Sequence, residues 1–189
     1  MGVGRVKLET TTSQTAADFL PLTASNAQRF VETFTTQIAG QAARFRLPSD
    51  LTQDVVQETL IRALRGLPKF RGDAKLSTWI YQISYREGLR AVERWKRHRE
   101  RNQPFDANTD FCSENAEAVD LVGTRDEVAL VRKAMEQLPD NQRFALGYHY
   151  LDGLAVLEIA QLMGATPNTI KSWLKRGRDS LRTFTEITH

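Results

Sequence analysis

The stretch from Leu154 to Leu181 constrains this chain more than any other. Two short apolar-periodic segments, Leu154 to Met163 and Asn168 to Leu181, flank the turn Gly164-Ala165-Thr166-Pro167. Thr166 is suited to cap the second segment, and Pro167 suits its first position. Ile170, Leu174, Gly177 and Leu181 recur at helical spacing and predict a buried side. Asn168, Lys171, Ser172 and Lys175 then face outward. The pattern predicts a helix-turn-helix whose second helix carries polar and basic groups toward a DNA major groove. An ordinary helical hairpin with a solvated basic face fits the same residues, and this stretch alone leaves both open.

Upstream, residues 1 to 24 are rich in Thr, Ser and Ala and read as a flexible leader, with order near Phe19 and Leu20. A helix is predicted from Ser25 or Asn26. Phe30, Phe34 and Ile38 repeat every four residues along it, with Phe45 further on, and mark a core. Pro48 and Ser49 break the pattern. The next helix opens between Leu51 and Asp54 and buries Val56, Leu60, Ala63, Leu64 and Leu67. Asp54, Glu58 and Arg62 share another face, where Glu58 and Arg62 stand in the favourable order for an ion pair. Gly66 weakens its last turn and Pro68 ends it. The loop from Lys69 to Asp73 is polar around Phe70. A long helix then runs from Lys75 past Trp95, with Trp79, Ile80, Ile83, Leu89 and Val92 as its apolar positions.

The formal charge is only +3, but it is unevenly spread. Arg86, Arg90, Arg94, Lys96, Arg97, Arg99 and Arg101 face three glutamates in one segment. Beside Trp79, Tyr81 and Tyr85, such a run fits nucleic acid, since cations meet phosphates and rings stack on unpaired bases. A solvated helix end, where basic residues favour the dipole, fits it equally. Residues 102 to 122 reverse the sign, with Asp106, Asp110, Glu114, Glu117 and Asp120 and no Lys or Arg. They read as a linker. Beyond it, Val128, Val131, Met135 and Leu138 predict a helix stopped by Pro139. A second helix is predicted from Asn141 to Leu151, with Phe144, Ala145, Tyr148 and Leu151 inward. The fold expected is therefore all-α, in two small helical domains. Its parts are a leader over 1–24, a first domain over 25–101, a flexible acidic linker over 102–123 and a helix-turn-helix domain over 124–185.

Several chemistries find no support in the residues. There is no 18-residue apolar run for a membrane span and no signal-peptide layout, so a cytoplasmic protein is expected. A single cysteine, Cys112, rules out an intrachain disulfide. No HExxH, CxxC, GxSxG or Gly-rich phosphate loop is present. His98, His149 and His189 lie in unrelated contexts, so no metal or cofactor is expected. Asp54 and Glu58 have nothing near in sequence to raise a carboxyl pKa for acid–base work. An enzyme is not expected.

Two blocks together carry a resemblance. The first is Asp54 to Leu64, then Phe70-Arg71-Gly72, then Leu76 to Ile83. The second is Leu138-Pro139 with Gln142-Arg143, then Gly153, Glu158-Ile159-Ala160, Leu162-Met163-Gly164 and Thr169-Ile170-Lys171-Ser172. In this order, and flanking a linker, they resemble the extracytoplasmic-function group of bacterial RNA polymerase sigma factors, over about residues 26 to 101 and 125 to 183. The resemblance implies a sigma-2-like and a sigma-4-like domain. It also implies a function, directing core RNA polymerase to promoters and helping to open the DNA. By the same carry-over, Asp54, Gln57, Glu58 and Arg62 would dock on the beta-prime subunit of the polymerase core. Phe70, Trp79, Tyr81, Gln82, Arg86 and Arg90 would serve the minus-ten promoter region. Thr166, Asn168, Thr169, Lys171, Ser172, Lys175 and Arg178 would serve the minus-thirty-five region, while the second domain holds the beta subunit. Promoter DNA and an anti-sigma factor are the other partners implied, with no membrane insertion. This chain has Ala155 where the family commonly has Ser, and Trp173 where it commonly has Arg. Two other readings stand beside this one. One is a stand-alone helix-turn-helix regulator, which would not need the Asp54 to Ile83 block. The other is an interaction protein that kept the fold without binding DNA.

Overall fold

A computed structural model describes residues 14–102, 131 and 133–188, and among them every regular element is helical. A short 3-10 turn, Ala16–Phe19, opens the chain. It sets the Phe19 ring edge-on against Phe30, with centroids 5.2 Å apart, and 5.8 Å from Phe34. The leader expected over 1–24 is thus tied down at its end by a buried aromatic; residues 1–13 lie outside the described residues.

Helix α1, Ala24–Ala43, starts just ahead of the position predicted, because Thr23 accepts the Asn26 amide at 3.2 Å and caps it. Helix α2, Ser49–Gly66, follows Pro48, and α3, Leu76–Asn102, is the long basic helix. The three pack around Phe30, Phe34, Ile38, Ala63, Leu67, Leu76 and Ile80. Of the stripe predicted on α2, Ala63 and Leu67 are fully buried and Val56, Leu60 and Leu64 are partly buried against the core, while Val55 and Thr59, which that stripe left out, are buried as well. Thr59 tolerates that burial by donating its hydroxyl to the Val55 carbonyl at 2.6 Å. Gly66 does more than loosen the last turn. A Cβ there would lie 2.9 Å from the Trp79 ring, so its absence lets α3 seat the indole against α2.

In the second unit a helical stretch at 133–136 leads to α4, Asp140–Leu146, which begins right after Pro139. The helix predicted to run on to Leu151 changes at Gly147. Gly147–Leu151 is a wider, π-type turn, and Asp152 closes it onto the Gly147 carbonyl at 3.1 Å. Then come α5, Val156–Met163, and α6, Pro167–Thr188. Gly164, at φ +65°, ends α5 in the left-handed conformation that a side chain resists.

The two units are packed on each other. One core runs through Phe45, Val55, Tyr81 and Ala91 of the first and Phe144, Tyr148, Ile159 and Ile170 of the second. The linker expected over 102–123 lies outside the described residues apart from Asn102.

Candidate functional site

Three faces hold the residues singled out from the sequence. The first is the outer side of α2. Asp54, Gln57, Glu58 and Arg62 are all exposed there. Arg62 Nε lies 3.5 Å from Glu58 and 3.0 Å from Glu87 of α3. Glu87 is buried and also takes Arg90 at 2.6 Å. One carboxylate therefore ties an arginine of the α2 face to an arginine of the basic helix. Ile61 stands exposed among these charges, an apolar residue that the periodicity of α2 does not spend on its core. It escaped the sequence reading, although its register, three residues after Glu58, was available.

The second face belongs to α3 and the loop before it. Phe70 and Trp79 pack with their rings tilted at 49° and centroids 5.1 Å apart, and brace the loop against the helix. Gln82 is half-buried, and Arg86 and Arg90 are exposed. Tyr81 does not join them at the surface. It is buried, with its ring 6.4 Å from Tyr148 of the second unit. Burial pushes the Tyr81 phenol well above its ordinary pKa, and the Asp152 carboxylate adds to the rise while Arg44 opposes it. Tyr85 is raised too, by burial and then by Asp140. Further along, Arg99 lies over the Trp95 ring at 5.1 Å.

The third face is α6. Ile170 and Leu174 are buried, Gly177 is closed in against Leu146, and Leu181 is half-buried. Asn168, Lys171, Lys175 and Arg178 are exposed on the other side, with Ser172 at the edge. Thr166 caps the helix: its hydroxyl accepts the Thr169 amide at 3.1 Å and meets the Thr169 hydroxyl at 2.8 Å. Arg178 donates to the Tyr150 hydroxyl at 3.1 Å. Trp173 packs against the core. At Ala155 the side-chain cap is absent, and Glu158 reaches back to take the Ala155 amide at 2.8 Å, which satisfies one of the helix's open donors. Asp152 takes no part in that cap. It is the partner of Arg44, on the other unit, at 2.5 Å.

Among the described residues no group of three or more His, Cys, Asp or Glu is arranged to hold a metal, and no helix is long and apolar enough to cross a membrane. What the arrangement offers is an exposed α2 face carrying two carboxylates, a basic helix with aromatic support, and a helix-turn-helix with its polar side exposed.

The family pattern for sigma-70 region 2 matches residues 30–101, and that for sigma-70 region 4 matches residues 129–181. The RNA polymerase sigma-H factor of Pseudomonas aeruginosa is 32% identical over 158 residues, covering 77% of this chain and 78% of that protein. The ECF RNA polymerase sigma-E factor of Escherichia coli is 29% identical over the same length. The fold is shared with the sigma factor RpoE of Bartonella quintana, solved with the anti-sigma factor NepR. The TM-score is 0.66 at 20% identity, over 86% of this chain and 98% of that one. It is also shared with CnrH, solved with the cytosolic domain of CnrY, at a TM-score of 0.61 and 19% identity over 92% and 96%.

Proposed function

The chain belongs to the sigma-70 family, in its extracytoplasmic-function group, and from that premise we propose how its faces divide the work of a promoter-directing sigma factor. The α2 face of Asp54, Gln57, Glu58 and Arg62, with Ile61 among them, docks on the beta-prime subunit of core polymerase. The α3 face takes the minus-ten region, with Phe70 and Trp79 holding the loop, Gln82 at the base level and Arg86 and Arg90 on phosphates. The α6 face of Asn168, Lys171, Ser172 and Lys175 enters the major groove at the minus-thirty-five element, with Thr166, Thr169 and Arg178 at its flanks. The division follows the parts set out above: a first domain over 25–101, a linker over 102–123 and a second domain over 124–185. The beta subunit is a further contact of the second domain. An anti-sigma protein is proposed as a regulator, of the kind bound to the Bartonella quintana factor. The protein works by binding in the cytoplasm, and bond formation in RNA belongs to the polymerase.

The observation that carries this reading is the split of α6, with Ile170 and Leu174 in the core and Asn168, Lys171 and Lys175 in solvent. A stand-alone regulator would have no use for a region 2 unit beside it. The test is run-off transcription with purified core polymerase on a library of genomic fragments. Start sites sharing two upstream elements are expected. Tight duplex binding without core, and no transcript with it, would overturn the reading.

A further inference from the structure

The buried side of α3 runs through Ile80, Ser84, Glu87 and Ala91, each at most 4% exposed. A carboxylate therefore occupies a position where helical register calls for a small or apolar side chain. It is held between two arginines. Arg62 Nε of α2 lies 3.0 Å from Glu87 Oε1, and Arg90 Nη1 of α3 lies 2.6 Å from the same oxygen. The two arginine side chains are 49% and 55% exposed, so each has one edge on Glu87 and the rest toward solvent. Glu58 adds a second, longer contact to Arg62 Nε at 3.5 Å. The backbone at this point is hemmed in. A Cβ on Gly88 would stand 2.0 Å from the Phe45 ring, so this turn of α3 is pressed against the core.

We propose that Glu87 is a positioning residue for two binding faces at once: its buried oxygen presents Arg62 to the polymerase core and Arg90 to the promoter backbone. The proposal rests on the functional reading above, in which Arg62 docks and Arg90 meets phosphate. A buried ion pair adds little to a fold, since a well-packed apolar side chain in its place is often as stable or more so. The reason for a carboxylate here lies in what its partners do. An unheld arginine spreads over many rotamers, and a binding partner must order it on contact. Glu87 takes up Nε of Arg62 and leaves the two terminal nitrogens to the docking partner. It takes up Nη1 of Arg90 and leaves Nε and Nη2 to a phosphate. Because guanidinium is planar and rigid, fixing one nitrogen sets the plane that the others present. Convergence on one oxygen also refers both faces to a single point of the core. Charge alone acts in the other direction on DNA. Glu87 is an anion beside a phosphate-binding arginine, so on charge its removal should strengthen binding to any nucleic acid. Positioning and plain charge therefore predict opposite signs.

The test uses the full chain and its holoenzyme with Glu87→Gln, which keeps the size of the side chain and removes its charge. Core affinity is read by titration. With core saturated, affinity and salt slope are read on a promoter fragment located by the run-off experiment and pre-opened over the minus-ten element. Arg62→Ala and Arg90→Ala are measured alone and each in combination with Glu87→Gln. Glu87→Gln should weaken core binding about two- to tenfold, the range for ordering one long side chain, and only while Arg62 is present. It should weaken promoter binding by a similar factor and flatten the salt slope, only while Arg90 is present. Arg90 is half-exposed, so Arg90→Lys keeps the test valid if thermal melts show that Glu87→Gln does not fold. A lysine has one compact charge to divide between Glu87 and phosphate, and should lose most of what Arg90→Ala loses. Unchanged core affinity or unchanged or tighter promoter binding in Glu87→Gln, equal losses with and without the arginines, or a lysine as good as Arg90 would each overturn the positioning role. If Arg62→Ala and Arg90→Ala themselves leave both affinities unmoved, the functional reading of these faces fails, and the positioning role with it.

Discussion

Gly40 and Gly88 both lie within helices, and the same substitution should act on them in opposite directions. Nothing stands within 4 Å of a Cβ on Gly40, so Gly40→Ala should stabilise the fold by roughly 0.5–1 kcal/mol through lower unfolded-state entropy. At Gly88 the Phe45 ring occupies the place a Cβ would take. Gly88→Ala should therefore cost about 1–3 kcal/mol in overpacking, more than the helix propensity it gains. Thermal melts of the two variants check this, and a shift of the same sign in both would show that Phe45 does not sit where described. The residue scale also explains Trp173 and Ala155. Trp173 is used for packing, and the amide left open at Ala155 is taken by Glu158.

At the scale of elements, α2 and α6 each divide their surface between core and partner. Reversing α2 with Asp54→Lys and Glu58→Lys should leave the fold intact, since both side chains are exposed and Arg62 keeps Glu87. Core-polymerase affinity should fall about tenfold or more if these carboxylates meet basic partners. A core-binding titration with unchanged affinity would remove α2 as the docking helix. On α6, Lys171→Ala and Lys175→Ala should weaken promoters that rely on the minus-thirty-five element. A base-edge contact would relax preference at one position by roughly 1–3 kcal/mol, whereas a phosphate contact would weaken all sequences alike and flatten the salt dependence. Binding and salt slope both unchanged in the double variant would mean that α6 meets DNA by another face.

For the whole molecule, the packing of the two units makes a prediction about alkaline pH. Burial raises the phenol pKa of Tyr81 and Tyr148, and of Tyr85, above the ordinary value of 10.0. The folded chain then keeps protons that an unfolded chain gives up. This contribution to stability should be complete below pH 10 and decline as pH rises beyond it, toward the raised values. Ultraviolet absorbance of tyrosinate, followed together with circular dichroism, should show a delayed component that rises together with unfolding. Ionisation complete at the ordinary phenol value, with the helical signal unchanged, would show that these rings are not enclosed. Arg44 sits in the same enclosure. Burial works to lower its pKa, but the neighbouring Asp152 carboxylate outweighs this and raises it overall, so the guanidinium stays charged as the phenols ionise.

The sequence by itself determined the helices, their order and the sides they turn to water. Those features follow from local periodicity and local stop signals: Phe30, Phe34 and Ile38 on one stripe, Pro48, Pro68 and Pro139 at boundaries, and Thr166 and Gly164 at the turn. The outward face of α6 was legible for the same reason, because Ile170 and Leu174 fix its register. Tertiary structure decided what depends on residues far apart in the chain. No period or motif says that Arg44 meets Asp152, that Glu87 joins Arg62 to Arg90, or that Tyr81 turns toward Tyr148 and away from solvent. The burial of Val55 and Thr59 on α2, beside the predicted stripe, belongs here too, since Thr59 is accommodated by a hydroxyl that bonds back to the Val55 carbonyl inside the packed core. A charged or aromatic residue on a helix face is open to solvent, partner or neighbouring unit alike, and only the packing of one unit on the other selects among them.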